Sequence, residues 1–214
     1  RSSTVSSRPL SMASTAAYAS ATSWDAAVAL APWDPASEVR KEPQQQKNIG
    51  ERWHTDHTYD QIPAMGSILV ARELPPSGGD TLFASAGAAY DSLSDGLKQT
   101  LGTLRAVHSA DHVYQPGGFY SKTDQAEELS GQELSTRAVH PVVIRHPVNG
   151  RRLLYVNPGF TLHFEGWTRE ESLPLLSYLY SVASNEAFHC RINWRPGSVA
   201  IWDNRATWHL ALND

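Results

Sequence analysis

Apolar positions along the chain predict a succession of short strands after residue 40. Residues 67–73 (SILVARE) form a β-type run bounded by Gly66 and by a Pro-Pro-Ser-Gly-Gly stretch, which is typical of a strand followed by a loop. Residues 188–194 (FHCRINW) and 199–203 (VAIWD) show the same texture, with a turn sequence at 195–198 between them. Each of these runs is predicted to be a strand.

Residues 142–156 (VVIRHPVNGRRLLYV) have the clearest hairpin pattern in the chain. Two strand-like runs are joined through Asn149 and Gly150, a pair that tolerates the positive φ angles of a type I′ turn. The sequence therefore predicts two antiparallel strands whose turn lies at Asn149 and Gly150.

Two segments have the spacing of amphipathic helices. In residues 88–101 leucines recur at every fourth position, which predicts one helix despite the internal Gly96. Thr168 and Glu171 have the spacing of a capping box, so a second helix is predicted to begin there and to continue through Tyr180.

Strand patterns outnumber helix patterns, and no strand-helix-strand alternation is visible in the sequence. Seven tryptophans and thirteen prolines add bulky aromatic side chains and proline-marked turns, which fit a β-rich sandwich better than a helical bundle. The predicted fold is therefore mainly β (α+β), an antiparallel double sheet with a few flanking helices.

Composition narrows the classes of function without changing this fold. The 214 residues suffice for one domain with a sizeable core, and a net charge of −4 gives no reason to expect nucleic acid or an anionic membrane as partner. No apolar run approaches the ~20 residues that cross a bilayer. The single Cys190 excludes an internal disulfide and suits a reducing compartment, so a cytoplasmic location is expected.

Residues 1–40 differ in texture from the rest and are predicted to be a leader that precedes a domain of residues 41–214. Residues 1–24 contain two arginines, no acidic residue and many Ser, Thr and Ala, and no methionine opens the chain. A disordered leader, an organelle transit peptide and a faulty gene model stay open as interpretations. A poorly packed leader is favoured because apolar periodicity is weak.

The first candidate metal ligands stand in Trp53-His54-Thr55-Asp56. On an extended backbone, residues i and i+2 project from the same face, so the His54 imidazole and the Asp56 carboxylate can converge on one point. A ferrous ion that performs redox chemistry suits two histidines and one carboxylate on one octahedral face. Alone the pair is a weak signal, because a solvated Asp at a strand end explains it equally well.

His209 is the third candidate ligand. It follows the apolar run 199–202 and the polar segment 203–205, and a strand packed in the core delivers a following histidine to a fixed place, as a metal ligand requires. A histidine that merely packs between Trp208 and Leu210 is the alternative interpretation.

Two longer blocks around these candidates resemble those of a known family. Residues 53–85 (WHTDHTYDQIPAMGSILVARELPPSGGDTLFAS) and 194–209 (WRPGSVAIWDNRATWH) are similar to the ligand blocks of the taurine dioxygenase (TauD/TfdA-like) family of Fe(II)/2-oxoglutarate-dependent dioxygenases. The order H-x-D, Gly-Gly-Asp-Thr and then W-D-N-R-x-x-x-H is highly specific. The likeness runs from about residue 40 to the end of the sequence.

The resemblance implies a double-stranded β-helix (jelly roll) in which His54, Asp56 and His209 bind Fe(II) and Thr81 contacts the carboxylate of 2-oxoglutarate. It also implies hydroxylation of a small anionic substrate, of the sulfonate or aryloxyalkanoate type, that consumes O2 and releases succinate and CO2. A small molecule is the expected partner, and a homo-oligomer stays open. From the residues alone, a hydroxyl beyond two glycines suits an anion contact, although an ordinary strand threonine explains Thr81 as well.

The sequence departs from the family pattern in three places. The family binds the far 2-oxoglutarate carboxylate with an arginine shortly after the distal histidine, whereas this sequence stops at Asp214, and Arg205 is not expected to replace that arginine. Residues 1–40 do not match the N-terminal elements of the family. Gly50 stands where the taurine enzyme has a substrate-binding asparagine. The sequence therefore predicts an incomplete jelly roll, truncated at both ends, with poor or no turnover and a substrate other than taurine.

Two alternatives to an active dioxygenase stay open. An inactive fragment or a jelly-roll binding module of the same family is favoured by the missing arginine, and a zinc hydrolase could use the same ligands although its flanking motifs would differ. Cys190 is expected to be a small buried hydrophobe. The remaining histidines lack ligand spacing and are expected at the surface or in supporting roles: His57, His108, His112, His140, His146, His163 and His189.

Overall fold

The computed structural model describes residues 12–19, 38–41, 50, 52–114 and 137–212 of the chain. Its strands are β1 (Met12–Ala19), β2 (Glu38–Lys41), β3 (Gly66–Ala71), β4 (Thr81–Ser85), β5 (Arg105–Ser109), β6 (Arg137–Pro141), β7 (Val143–Arg145), β8 (Arg152–Leu154), β9 (Thr161–Phe164), β10 (His189–Ile192), β11 (Val199–Asp203) and β12 (Thr207–Ala211). Its helices are α1 (Ala86–Ser92), α2 (Asp95–Leu101), α3 (Asp111–Tyr114) and α4 (Arg169–Ala183).

Every strand pair within the described residues is antiparallel. The strands form sheets in the orders β11-β3-β1-β2, β10-β4-β12, β6-β5-β9 and β7-β8. In the first sheet Trp202 of β11 lies opposite Ser67 of β3, and in the second His209 of β12 lies opposite Phe83 of β4. The mainly β, antiparallel prediction is confirmed.

The predicted strands at residues 67–73, 188–194 and 199–203 correspond to β3, β10 and β11. A turn separates β10 from β11, as predicted, and in it the Ser198 N–H donates to the Arg195 carbonyl over 2.8 Å. These local patterns were sufficient because short runs rich in apolar and aromatic residues between turn residues favour strands.

The predicted hairpin is present, but its turn differs from the prediction. Strands β7 and β8 pair with Ile144 opposite Leu153, and only Gly150 of the Asn149-Gly150 pair has a positive φ, at 71°. A type I′ turn needs positive φ at both positions, so that prediction is wrong. The connection is wider because the ring of His146 accepts the Val148 N–H over 3.2 Å and organises a longer loop.

The helix predicted over residues 88–101 is two helices, α1 and α2. Leu93 between them is extended, with φ −71° and ψ 152°, and the Ser94 hydroxyl accepts the Leu97 N–H at the start of α2. The leucine period continues across the break because Leu93 and Leu101 both enter the same core. A serine cap therefore restarts the helix where periodicity alone predicts continuity.

The predicted capping box opens α4. The Thr168 hydroxyl accepts the Glu171 N–H over 3.2 Å, and the Glu171 carboxylate accepts the Thr168 N–H over 2.8 Å. The helix packs Leu176 and Leu179 into the core. Thr168 therefore fixes where the helix begins, and Leu176 and Leu179 then lie on the face of the helix that packs into the core.

Successive side chains of β12 point alternately to the hydrophobic core and to the opposite face of the sheet. Trp208, which is 2% exposed, packs into the hydrophobic core with Phe164 and Ala84. Successive residues of a strand point to opposite faces, so His209 projects away from that core, on the face that it shares with Phe83. One face of the β10-β4-β12 sheet is thus filled with apolar side chains and the other carries the chemistry.

Two sequence predictions outside the core have different outcomes. Met12–Ala19, inside the predicted leader, forms β1 and pairs with β3, while the proposed domain boundary at residue 40 stays a prediction. Cys190 is exposed on the edge strand β10, so its predicted burial is wrong. Among the residues described, no helix is long and apolar enough to cross a membrane.

Candidate metal centre

The backbone brings His54 and His209 side by side. The His54 N–H donates to the His209 carbonyl over 3.1 Å, and the His209 N–H donates to the His54 carbonyl over 2.9 Å, which makes an isolated antiparallel bridge beside β12. Asp56 follows two residues after His54. Backbone pairing between residues far apart in the chain therefore brings His54 to His209, and the two-residue spacing brings Asp56 with it.

The three side chains present one compact set of donor atoms. Asp56 Oδ1 lies 3.5 Å from His54 Nε2 and 3.6 Å from His209 Nε2, and the two imidazole centroids are 4.1 Å apart. One ligand atom from each residue lies within 4.8 Å of the others, and no other such group of His, Cys, Asp and Glu occurs in the described part of the chain. Two imidazoles and one carboxylate fit a divalent iron ion.

The two histidine rings are oriented by different means. His54 Nδ1 lies 2.8 Å from the Arg52 carbonyl, and since a carbonyl only accepts, Nδ1 carries a proton and Nε2 is the nitrogen that faces Asp56. His209 Nδ1 is buried without a hydrogen-bond partner among the described residues. Its ring is instead packed against Trp202 and Phe83, at centroid distances of 5.0 and 6.1 Å.

The charges of the site favour an anionic carboxylate between imidazoles. Burial would raise the pKa of Asp56, but His209, His54 and the Ser67 hydrogen bond outweigh it and hold that pKa well below its usual range. Burial and the neighbouring His54 lower the pKa of His209 to about 3, so this ring is neutral near pH 7. For His54, burial is outweighed by Asp56, which raises the pKa. A bound cation would take the place of the proton that His54 and Asp56 attract.

The second carboxylate oxygen of Asp56 faces the interior of the first sheet. Ser67 Oγ donates to Asp56 Oδ2 over 2.9 Å, and Asn204 Nδ2 donates to Ser67 Oγ over 2.9 Å. Neither Ser67 nor Asn204 was predicted from the sequence to belong to the site. The available signals were an inward serine in an apolar strand and an asparagine inside the W-D-N-R block.

Thr81 lies on the same sheet face as His209. Thr81 lies opposite Ala211 in the β4–β12 pair, and Ala211 is two residues after His209. Residues two apart in a strand project from the same face, so Thr81 and His209 share a face of the sheet. Thr81 Oγ1 accepts the indole N–H of Trp194 over 3.0 Å, so the hydroxyl proton remains available to donate. The structure therefore places Thr81 on the sheet face that carries His209, with a hydroxyl that can donate, while its contact with 2-oxoglutarate stays a prediction.

Two glycines allow the chain to pass close to His54. A Cβ on Gly159 would lie 2.6 Å from His54 Cβ, and a Cβ on Gly50 would lie 3.2 Å from His54 Cε1. Gly50 also has a positive φ of 84°. The ring of Phe160 stands edge-on to His54 at 5.9 Å. This side of the site is walled by backbone and one aromatic ring.

Arg205 is bound by its own motif. Its guanidinium donates to both oxygens of Asp203, over 2.8 and 2.6 Å, and His146 Nε2 lies 2.8 Å from the same carboxylate. The Arg205 guanidinium is thus already paired within the W-D-N-R block, and the expectation that Arg205 does not bind 2-oxoglutarate stays a prediction. His108, expected at the surface or in a supporting role, is completely buried beside His140 and Tyr155.

Comparison with known proteins identifies a family with which the chain shares its sequence. The family model described as taurine catabolism dioxygenase TauD, TfdA family matches residues 29–213. An alpha-ketoglutarate-dependent sulfonate dioxygenase of Saccharomyces cerevisiae is 36% identical over 76% of this chain and 38% of its own length. An alpha-ketoglutarate-dependent sulfate ester dioxygenase of Pseudomonas putida is 36% identical over 76% of this chain and 54% of its own.

The fold has solved counterparts as well. The crystal structure of AAD-2 in complex with Mn(II) and N-oxalylglycine matches with a TM-score of 0.65 and 32% identity, over 77% of this chain and 62% of that one. The predicted jelly-roll class is thereby confirmed. The chain spans about half or less of the length of the curated relatives named above. With a family model that covers most of its residues, this chain belongs to the taurine catabolism dioxygenase TauD, TfdA family.

Proposed function

We propose that the chain acts as an Fe(II)- and 2-oxoglutarate-dependent dioxygenase that hydroxylates a small anionic organic substrate, with release of succinate and CO2. The observation that carries this proposal is the convergence of His54, Asp56 and His209 within 4.8 Å of one another. Family membership supplies the chemistry that such a ligand set performs.

In this proposal Fe(II) is bound by Nε2 of His54, Nε2 of His209 and Oδ1 of Asp56. The donor set fits, because the Arg52 carbonyl fixes the tautomer of His54 and the Ser67 hydroxyl occupies the oxygen of Asp56 that faces away from the histidines. When bound, the iron with 2-oxoglutarate and O2 supplies the oxidising power that converts a substrate C–H bond into C–OH.

Thr81 is proposed to donate a hydrogen bond from its hydroxyl group to a carboxylate of 2-oxoglutarate. Trp194 supports this role because its indole N–H occupies the Thr81 oxygen and thereby directs the hydroxyl hydrogen elsewhere. The solved relative AAD-2 is in complex with Mn(II) and N-oxalylglycine, a compound with an oxalyl group. That complex is consistent with a dicarboxylate bound beside the metal.

The aromatic side chains around the histidines are proposed to exclude water from the reaction. Trp202 and Phe83 contact each other at 5.2 Å and cover one side of His209, while Phe160 covers His54 from another direction. A water-poor site strengthens the electrostatic interactions of bound anions and protects reactive species from side reactions.

An anionic substrate is proposed on two grounds. The relatives named above are a sulfonate dioxygenase and a sulfate ester dioxygenase. In addition, a positive charge lies near the aromatic wall: after burial, the charge of Arg52 lowers the pKa of His112, and the His112 ring lies 6.0 Å from Phe160. The substrate classes to test are thus sulfonates, sulfate esters and aryloxyalkanoates. Taurine itself is not expected, because Gly50 has no side chain at the position where the taurine enzyme has a substrate-binding asparagine.

The proposal is tested by succinate release. The purified chain is incubated with Fe(II), 2-oxoglutarate, O2 and, separately, an alkyl sulfonate, an alkyl sulfate and an aryloxyacetate. One of these is expected to raise succinate formation above the substrate-free rate, and His209→Ala and Asp56→Ala are expected to abolish that increase. Equal succinate from the wild type and both variants with every substrate would contradict the dioxygenase.

A jelly-roll binding module of the same family is the second candidate, because the same three side chains could bind a metal without turnover. Binding of metal and 2-oxoglutarate without turnover of any substrate would support the module over the enzyme. The cytoplasmic location and a homo-oligomeric state stay predictions.

A further inference from the structure

A chain of hydrogen bonds reaches Asp56 from the side opposite to the histidines. Asn204 Nδ2 donates to Ser67 Oγ, and Ser67 Oγ donates to Asp56 Oδ2, each over 2.9 Å. The other oxygen, Oδ1, lies 3.5 and 3.6 Å from the imidazole Nε2 atoms of His54 and His209. The two oxygens of one carboxylate therefore have different partners.

The direction of this chain follows from proton counting. Ser67 has one hydroxyl proton and two acceptors within reach, Asp56 Oδ2 at 2.9 Å and Asn204 Oδ1 at 3.2 Å. The shorter bond leads to a carboxylate, and hydrogen bonds to ionised acceptors are the stronger ones. The Asn204 amide donates to the Ser67 oxygen, so the serine proton is directed to Asp56.

The donors are rigidly placed. Ser67 is fully buried in β3, between β11 and β1, and Asn204 is 1% exposed. The Asn204 N–H donates to the Met65 carbonyl over 3.1 Å. Beside them β3 and β11 approach so closely that a Cβ on Gly66 would lie 2.7 Å from the Trp202 carbonyl oxygen. Both side chains are therefore shielded from bulk water.

We propose that Ser67 and Asn204 are positioning residues that hold Asp56 with Oδ1 toward the two histidines and thereby set the metal affinity of the site. The inference rests on the proposed function, because it concerns the same candidate ligands. Without the Ser67 hydroxyl, the buried Oδ2 would lack this donor and the carboxylate could rotate away from the arrangement that metal binding needs.

The test is Mn(II) affinity, measured by the electron paramagnetic resonance signal of unbound Mn(II) during titration of the purified chain. Ser67→Ala is expected to weaken binding by roughly 10- to 100-fold, the usual effect of losing a partner behind a metal ligand. Asn204→Ala is expected to weaken it less, since Ser67 can still donate. Ser172→Ala removes an equally buried serine from α4, away from the site, and is expected to leave affinity unchanged.

A relay also predicts non-additivity. Asn204 acts on Asp56 only through Ser67, so the double variant Ser67→Ala/Asn204→Ala is expected to bind Mn(II) as weakly as Ser67→Ala alone. If the two substitutions caused independent structural defects, their fold-losses of Mn(II) affinity would multiply in the double variant. That result would overturn the relay. Ser67→Thr keeps the hydroxyl and is expected to recover most of the affinity. Urea unfolding of the metal-free variants establishes that each is folded, and if Ser67→Ala is not, Asn204→Ala carries the test.

His209→Ala separates failure of this inference from failure of the proposed function. If His209→Ala binds Mn(II) as tightly as the wild type, the metal site itself is wrong and the positioning role falls with it. If His209→Ala abolishes binding while Ser67→Ala matches Ser172→Ala, the metal site stands and the positioning role alone is overturned.

Discussion

At residue scale, Gly159 shows how closely the chain approaches a candidate ligand. A Cβ at this position would lie 2.6 Å from His54 Cβ and 3.2 Å from Asn157 Oδ1. Distances below 3.0 Å between such carbons do not occur without movement of one partner. Since the His54 backbone is tied to His209 by two hydrogen bonds, the displacement would be transferred to the histidine ring.

Gly159→Ala is therefore expected to lower Mn(II) affinity by about tenfold, or ~1.4 kcal/mol, within the usual cost of overpacking. The measurement is the same Mn(II) titration. Gly96→Ala is the matched control, because a Cβ at that exposed helical position would meet nothing within 4 Å. An unchanged affinity in Gly159→Ala would mean that the loop yields without moving His54.

Thr81 offers a second test at this scale. Thr81→Val keeps the shape of the side chain and removes the proposed hydroxyl donor, so 2-oxoglutarate affinity is expected to fall by about tenfold, given ~1.5 kcal/mol for a hydrogen bond to a charged group. Thr81→Ser keeps the donor and is expected to bind almost normally. Anaerobic absorbance titration of the Fe(II) complex measures both. Equal affinity in Thr81→Val and the wild type would remove Thr81 from the cosubstrate site.

At the scale of elements, α4 depends on its first turn. Thr168 and Glu171 satisfy each other's backbone N–H groups, and the helix then presents Leu176 and Leu179 to the core. Thr168→Ala is expected to lower the free energy of unfolding by about 1 kcal/mol, the usual value for loss of such a cap.

Urea unfolding checks this expectation, with Thr168→Ser as the variant that keeps the cap. If Thr168→Ala unfolds at the same urea concentration as Thr168→Ser, the cap contributes nothing and tertiary packing alone sets the start of α4. Mn(II) affinity is expected to be the same in both variants, because α4 lies on the core side of the sheet that carries His209.

At the scale of the whole molecule, a buried histidine links stability to pH. His108 is fully buried, its Nδ1 lies 3.3 Å from the Thr161 hydroxyl, and its ring neighbours are His140 and Tyr155. Burial, assisted by the charge of His140, lowers the pKa of His108 to about 3. An unfolded histidine titrates near 6.5, so on acidification the unfolded chain takes up this proton first.

The stability contributed by neutral His108 is therefore complete above about pH 6.5 and is lost as the pH falls toward about 3. By pH 4 the loss amounts to ~3 kcal/mol. Urea unfolding of the wild type and His108→Gln at pH 8, 6, 5 and 4 measures it. The wild type is expected to lose about that much more stability than the variant between pH 8 and 4, and parallel curves would contradict the buried neutral state.

Local sequence was sufficient for five of the twelve described strands (β3, β7, β8, β10 and β11), for the α4 cap and, with the help of the family motifs, for naming His54, Asp56 and His209 as candidates. Each of these depends on residues close together in the chain: a β-branched run between turns, a hydroxyl three residues before a carboxylate, or a short motif. The same local logic was wrong at Leu93, where the core accepts an extended residue, and at Asn149, where His146 organises a wider loop.

Only the tertiary structure decided which distant residues meet. The sequence by itself determined that two histidines and an aspartate were candidates, but sheet register paired the His54 backbone with that of His209 and placed Ser67 and Asn204 behind Asp56. It also buried His108, for which the surface and a supporting role had both been open, and it exposed Cys190, against expectation. The physical reason is that hydrogen bonds across a sheet depend on the register of strands far apart in the chain, and a one-residue change in register would turn each side chain to the opposite face.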